Sequence, residues 1–492
     1  MTEPDPVEPG APESGQSLRG RVLRGAALGL AGHAGSQLLR LASNLILARL
    51  LFPEAFGVMA IAWLVVNGLT MLSDVGIRSS VIRDDRGDDR RFLHTAWTLQ
   101  VLRGLLLWLA ASALAVPLAG FYDQPLLARI VPVAALVAPI AGFESIRLLA
   151  ATRRIQLGRV VVVELAGQAI GLVAMVAWAW VDRSVWALVV GGLVRTLARV
   201  VLSHAILPGP RDRFGWDADA VRRIVGFGKW ILVSTAITFL ATRLDIVLLG
   251  KLVPMATLGV YSIGAMIAQV PQTPASRLGR AVLLPALSES RREGRESLAM
   301  AFSRARGLVL PAMLLAVLAS LACAPAFVRV LYDERYRDAG WIAQLSLIPL
   351  WFAFLQFTAR SALEAVGDSR ALATGNAVKL AVTGVACIAG YRLAGLPGLI
   401  LGVALGAAAG YGMIAAALRS AGLPTQRQDL AWTAGGLALG LTVALGARGL
   451  AHGLEIERVD LVTLGVGAAV VGPLALSLAG KLRELVGGSP GG

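Results

Sequence analysis

The chain has 492 residues, 56% of them hydrophobic and 16% charged, with a mean hydropathy of +0.69. This composition excludes a soluble globular domain. The apolar blocks of about 20 residues or more lack strand alternation, so the chain reads as an all-α integral membrane protein rather than a β-barrel. Its net charge of +15 does not imply nucleic acid, because the cations sit in short connections between apolar blocks and form no basic domain.

Residues 1–18 are rich in Pro, Glu and Gly and read as a disordered tail. They do not read as a signal peptide, since acidic residues precede an apolar run that is too long. About fourteen spans follow, at 25–51, 56–80, 92–119, 127–150, 160–181, 184–206, 224–250, 257–285, 302–331, 340–365, 370–392, 397–420, 430–450 and 459–483. The expected organisation is an N-terminal six-helix bundle at 19–206, a cytoplasmic linker at 207–223 and a C-terminal six-helix bundle at 224–420. Two additional transmembrane helices occupy 421–483, and a second disordered tail covers 484–492. Alternate connections carry most of the arginines, among them Arg83, Arg86, Arg153, Arg159, Arg211, Arg213, Arg291 and Arg292. With an even number of spans, that bias puts both termini in the cytoplasm.

The chain repeats itself. Arg49 and Gly57, eight residues apart after span 1, correspond to Lys251 and Gly259 after span 7, at an offset of 202. Pro117 followed by Phe121-Tyr122-Asp123 corresponds to Pro325 followed by Leu331-Tyr332-Asp333. Leu157-Gly158-Arg159 corresponds to Asp368-Ser369-Arg370. Six spans separate the members of each pair, which makes the repeats parallel.

The helices that open each repeat carry polar residues at helical spacing. Span 1 has His33, Gln37, Arg40 and Asn44; span 2 has Asn67, Thr70, Asp74 and Arg78. Span 7 has Thr235, Thr238, Thr242 and Asp245, and span 8 has Ser262, Gln269, Thr273, Ser276 and Arg280 with Arg277 alongside. Residues three and four apart share a helix face, and an ion in hydrocarbon is costly, so such faces belong to a water-filled cleft near the midplane. The Ser and Thr residues have a second reading, as groups that satisfy backbone carbonyls or hold helices together. Arg78, Arg277 and Arg280 could equally snorkel to headgroups. Arg243 and Asp245, two apart, are expected to point in different directions, one to the cleft and one to its own bundle. Glu144 and Arg147 read as an intrahelical pair. Gln356, Arg360 and Glu364 form a further stripe, cavity-facing or paired. Gly398, Gly402, Gly406 and Gly410 make a small-residue face for close helix contact.

Cys323 and Cys387 read as small buried hydrophobes, and four scattered histidines hold no metal. No nucleophile–base set, phosphate-cradling loop or metal motif is visible, so the expectation is a chain that is not an enzyme and uses no cofactor.

Several short motifs, in order, carry a family resemblance. They are Leu47-Ala48-Arg49-Leu50-Leu51 with Phe56-Gly57, Leu72-Ser73-Asp74-Val75-Gly76-Ile77 and Phe121-Tyr122-Asp123. Arg243-Leu244-Asp245 and Leu258-Gly259-Val260-Tyr261 complete the set. With the six-plus-six repeat, the chain resembles the Wzx-type polysaccharide flippases (O-antigen and exopolysaccharide) of the MOP exporter superfamily. The resemblance implies two bundles about a cationic cavity in a bacterial plasma (inner) membrane. It implies alternating access and a cargo of undecaprenyl-diphosphate-linked oligosaccharide. Partners implied are that cargo, membrane lipids, and a polymerase and glycosyltransferases. Candidate diphosphate contacts are then Arg40, Arg243, Arg277 and Arg280, and candidate sugar contacts Gln37, Asn44, Asn67 and Gln269. Asp74, Arg78, Asp245 and Arg360 complete the candidate cleft, with Asp74 or Asp245 as groups that could titrate. Rival readings are an organic-cation antiporter of the same superfamily, which calls for an acidic cleft, and a membrane polysaccharide polymerase or ligase, which calls for a large outer loop.

Overall fold

The computed structural model describes residues 18–73, 77, 80–81, 89–153, 156–209, 211–290, 294–366, 368–453, 463, 465–469 and 471–472. Among the described residues all regular structure is helical. The helices are α1 (Leu18–Leu50), α2 (Pro53–Leu72), α3 (Arg90–Phe121), α4 (Leu127–Ala135), α5 (Val137–Gly142), α6 (Arg147–Arg153), α7 (Leu157–Val181) and α8 (Trp186–Ile206). They continue with α9 (Ala218–Leu252), α10 (Met255–Ala268), α11 (Gln272–Ser290), α12 (Arg295–Leu331), α13 (Ala339–Val366), α14 (Ser369–Ser420) and α15 (Gln426–Gly453). Helix occupies the expected position of each of the first thirteen spans. The fourteenth lies mostly outside the described residues, as do the expected tails and the candidates Asp74 and Arg78.

Local chemistry sets several boundaries. α2 opens on Pro53, where a missing N–H costs nothing, with Glu54 in its first turn, and α1 closes with Arg49 in its last. The equivalent position after α9 is Pro254, which caps α10. Span 8 is not one helix: three turn residues, Gln269 to Pro271, separate α10 from α11. Pro271 cannot donate to the preceding turn. α14 is two helices, joined at Ala394 and Gly395, where φ of 63° at Gly395 suits a residue without Cβ. Its halves fold back on each other along the glycine face. Gly402 lies against Ala386, Gly406 against Thr383, and Gly410 against Lys379.

Seven helices among the described residues are long and apolar enough to cross a membrane, and α4–α5 with α6 make an eighth bent by 62°. Leu105, Leu106, Leu109 and Val116 on α3, and Val173, Trp180 and Val181 on α7, are exposed. That much exposed apolar surface fits a bilayer and not water. α1, α9 and α11 are among the helices that carry the polar stripes. Cys387 is buried, whereas Cys323 is exposed, so the expectation of burial fails for Cys323. On a helix with lipid for solvent, an apolar thiol needs no core.

Packing groups the chain into two units. The first draws on the described residues of Met1–Leu50, Ser73–Leu118 and Leu127–Leu232, and the second on Leu51–Leu72, Ala119–Leu126 and Val233–Gly492. This grouping differs from sequential bundles, since α2 and the 119–126 turn join the C-terminal helices. In the first unit α1 runs against α7. A Cβ on Gly32 would overlap Val161, and the buried Ser36 hydroxyl donates to Gln168 Oε1 at 2.8 Å while Gln168 Nε2 donates to the Ser36 carbonyl at 3.0 Å. In the second unit the main core joins Phe302 and Met313 of α12, Phe354 of α13, and Ile414 and Leu418 of α14. There α2 crosses α10 so tightly that a Cβ on Gly57 would overlap the Met255 carbonyl, and one on Gly259 the Pro53 carbonyl. These are the two glycines matched by the internal repeat.

Candidate functional site

Within the second unit, α2, α9 and α10 enclose a cavity of about 260 Å³. Trp63, Leu64, Asn67 and Ala60 of α2 border it, facing Phe239, Arg243, Asp245 and Ile246 of α9. Tyr261, Ser262, Ala265 and Met266 of α10, with Gln269 beyond its end, complete the wall. Close approach of α2 and α9 is permitted at Gly68, against which the Phe239 ring lies.

Four candidates, Asn67, Arg243, Asp245 and Gln269, therefore share one cavity. Arg243 and Asp245, expected to point in different directions, both border it. Asp245 turns to α10, where the Tyr261 hydroxyl donates to its Oδ2 at 2.5 Å, while the long Arg243 side chain, itself exposed, reaches the same space. Lys379 of α14 stands within electrostatic reach of Asp245. The side chains of Asn67, Gln269 and Arg243 hydrogen-bond to no other residue among those described, so their donors and acceptors are open to a ligand.

Other stripe residues are committed to protein. The Thr70, Thr242 and Ser262 hydroxyls donate to the Val66, Thr238 and Leu258 carbonyls of their own helices. Asn376 donates to Thr238 and accepts from Gln356. Arg360 pairs with Glu364 at 2.7 Å along α13. Arg277 and Arg280 stand on α11, beyond the helix break and off the cavity wall; the Arg280 guanidinium lies 6.0 Å from the Phe357 ring centroid.

Gln37, Arg40 and Asn44 are on α1 in the first unit, where the Asn44 amide donates to the Arg40 carbonyl at 2.9 Å. Arg40 is exposed and stands within electrostatic reach of Arg195 on α8, as do Arg199 and Glu164. The stems of Arg195 and Arg199 lie against Gly171 and Gly167 of α7. Arg199 pairs with Glu144 at 2.8 Å. That pairing replaces the expected Glu144–Arg147 one: the chain between α5 and α6 is not helical, so a three-residue spacing does not put the two on one face. Arg147 donates instead to the Leu207 carbonyl. Arg195 and Arg199 were missed by the reading of the stripes, although cations four apart inside span 6 give the same signal that marks Arg40. Trp63 and Tyr261 were missed as well, because an aromatic in an apolar span carries no signal of its own.

Comparison with known proteins places the chain. The family model described as polysaccharide biosynthesis protein matches residues 46–340. Succinoglycan biosynthesis transport protein ExoT of Rhizobium meliloti (strain 1021) is 22% identical over 244 residues, which are 50% of this chain and 49% of that protein. Lipopolysaccharide biosynthesis protein WzxC of Escherichia coli (strain K12) is 22% identical over 306 residues, 61% of each. The chain thus spans between about half and three fifths of the length of these curated relatives. Among solved structures, lipid II flippase MurJ in an inward closed conformation superposes with a TM-score of 0.63 at 11% identity, over 92% of this chain and 99% of that one. An inward-facing multidrug resistance MATE family transporter of the MOP superfamily gives 0.59 at 14% identity, over 80% and 95%. At these identities the structural likeness is one of fold. A multi-span helical chain with this fold, matched by that model over more than half its length, belongs to the polysaccharide biosynthesis protein family and resembles its Wzx-type MOP members.

Proposed function

We propose that the protein moves lipid-diphosphate-linked oligosaccharides from the cytoplasmic to the outer leaflet of a bacterial inner membrane, for surface polysaccharide synthesis. The observation that carries this reading is the cavity among α2, α9 and α10, where two uncommitted amides and a guanidinium border one space inside a spanning bundle of a family member. Neutral amides suit sugar hydroxyls. A diphosphate calls for cations, for which Arg40, Arg277 and Arg280 are the candidates and Arg78, outside the described residues, a further one. The polyprenyl tail stays in the bilayer. MurJ, a lipid II flippase, and ExoT, a biosynthesis transport protein, support a carrier that turns over by alternating access and makes no covalent change in its cargo. The cation bias supports cytoplasmic termini, with glycosyltransferases upstream and a polymerase downstream.

The test is reconstitution. Purified protein in liposomes should move a fluorescent polyprenyl-diphosphate sugar between leaflets. Arg40→Ala should slow that movement by about tenfold or more, the worth of a charge-assisted hydrogen bond, with expression and membrane insertion unchanged. Undiminished flipping in the variant would remove Arg40 from the site. Movement of organic cations in place of the lipid would favour the antiporter, although Arg243 offsets the cavity's one acidic side chain, Asp245.

A further inference from the structure

The cavity has a size and a chemistry that narrow what part of the cargo it takes. Its volume of about 260 Å³ equals that of about nine water molecules in the liquid. One sugar ring with its hydroxyls fits that space, and the rest of a repeat unit would extend beyond it. The wall is divided in kind. Trp63, Leu64, Phe239 and Met266 are apolar, and Asn67, Gln269, Arg243 and Asp245 are polar. A pyranose is divided the same way, with C–H faces and a rim of hydroxyls. Trp63 and Asn67 are four residues apart on α2, so an aromatic surface and an amide come from one helix face. Arg243 and Asp245 contribute opposite charges to the wall, and Lys379 stands off it within electrostatic reach of Asp245, so the wall itself presents a diphosphate with one cation beside an anion and no cluster of cations. Asp245 spends Oδ2 on Tyr261, and its Oδ1 is left as an acceptor for a hydroxyl.

We propose that this cavity is a subsite for a single uncharged sugar ring of the cargo. Trp63 is the surface on which the ring stacks, and Asp245, positioned by Tyr261, reads one ring hydroxyl. The assignment rests on the flippase reading and deepens it. Sugar discrimination resides in α2, α9 and α10, and the diphosphate is held elsewhere. A site built to bond a hydroxyl discriminates strongly against an analogue without it, because the open carboxylate oxygen is then unpaired.

The experiment uses the full chain in phosphatidylcholine nanodiscs and two synthetic probes, a polyprenyl diphosphate carrying one uncharged hexose and the same lipid diphosphate bare. The wild type should bind the hexose lipid more tightly, by about tenfold, the scale of one aromatic stacking contact. In Trp63→Ala the two affinities should converge, and Trp63→Phe, which retains an aromatic ring, should restore most of the preference. Tyr261→Phe should keep a preference for sugar but lose discrimination among single-deoxy hexose analogues. A preference that survives Trp63→Ala, or affinities for both lipids that fall together in Trp63→Phe, would overturn the subsite. Failure of the wild type to bind either lipid would sink the flippase reading. Methyl hexosides then decide the subsite alone: a change in tryptophan fluorescence that is absent from Trp63→Phe upholds it, and no change overturns it.

Discussion

Gln168 uses both ends of its amide on one residue, accepting from the Ser36 hydroxyl and donating to the Ser36 carbonyl. Both residues are buried, so the pair fixes the register of α1 against α7, and with it the level at which Arg40 stands. Gln168→Ala should lower stability by about 1 kcal/mol, the usual scale for hydrogen bonds between membrane helices, read as a lower melting temperature in detergent. An unchanged melting temperature would mean the pair positions without stabilising. At this scale the sequence shows polar groups well and their partners poorly. Asn67, Asp245 and Gln269 stand out because a polar residue in a span is rare and costly. The commitment of Thr70 and Ser262 to their own helix carbonyls, and of Glu144 to Arg199, depends on rotamers and helix breaks that composition does not record.

Arg306 is fully buried and joins four helices. Its Nη2 donates to Asp429 at the start of α15 at 2.7 Å, its Nε donates to Thr358 of α13 at 3.1 Å, and Tyr411 of α14 donates to the other Asp429 oxygen at 2.6 Å. α15, which the repeat leaves out, is thus anchored to the C-terminal helices through charge. Arg306→Met leaves Asp429 buried without its cation, with only the Tyr411 hydroxyl on it among the described residues, and should cost about 3–5 kcal/mol. Arg306→Met combined with Asp429→Leu should recover most of that loss. Thermal melting of the three variants in detergent checks the order; a double variant no better than the single would show that packing, and not charge, holds α15. Span positions were legible because hydropathy integrates over a whole span. The break between α10 and α11 was not, because a 29-residue polar-faced stretch reads as one helix even with Pro271 and Pro274 inside it.

For the whole chain, the cation bias predicts sidedness. A tag at residue 88 should be shielded from a membrane-impermeant label in intact cells and one at residue 335 reachable; the reverse pattern would invert the topology. The parallel repeat was legible from sparse matches because each falls at a span end, where Pro and Gly requirements keep the chain recognisable. The composition of the two packed units was not, since nothing in hydropathy assigns α2 to the C-terminal helices.

The crossing of α2 and α10 bears on how such a chain could arise. Gly57 and Gly259 are equivalent positions of the two halves, and each lies against the backbone just before the other. In a dimer of identical half-chains they would be a single residue sitting on the two-fold axis against its own copy. An isologous contact of that kind must fit every side chain twice at once, so a change there is felt doubly and in concert. Fusing the halves frees the two positions to vary independently. Both are still glycine, and the overlap a Cβ would create is a physical reason for that: a larger residue at either position meets the backbone of the other half.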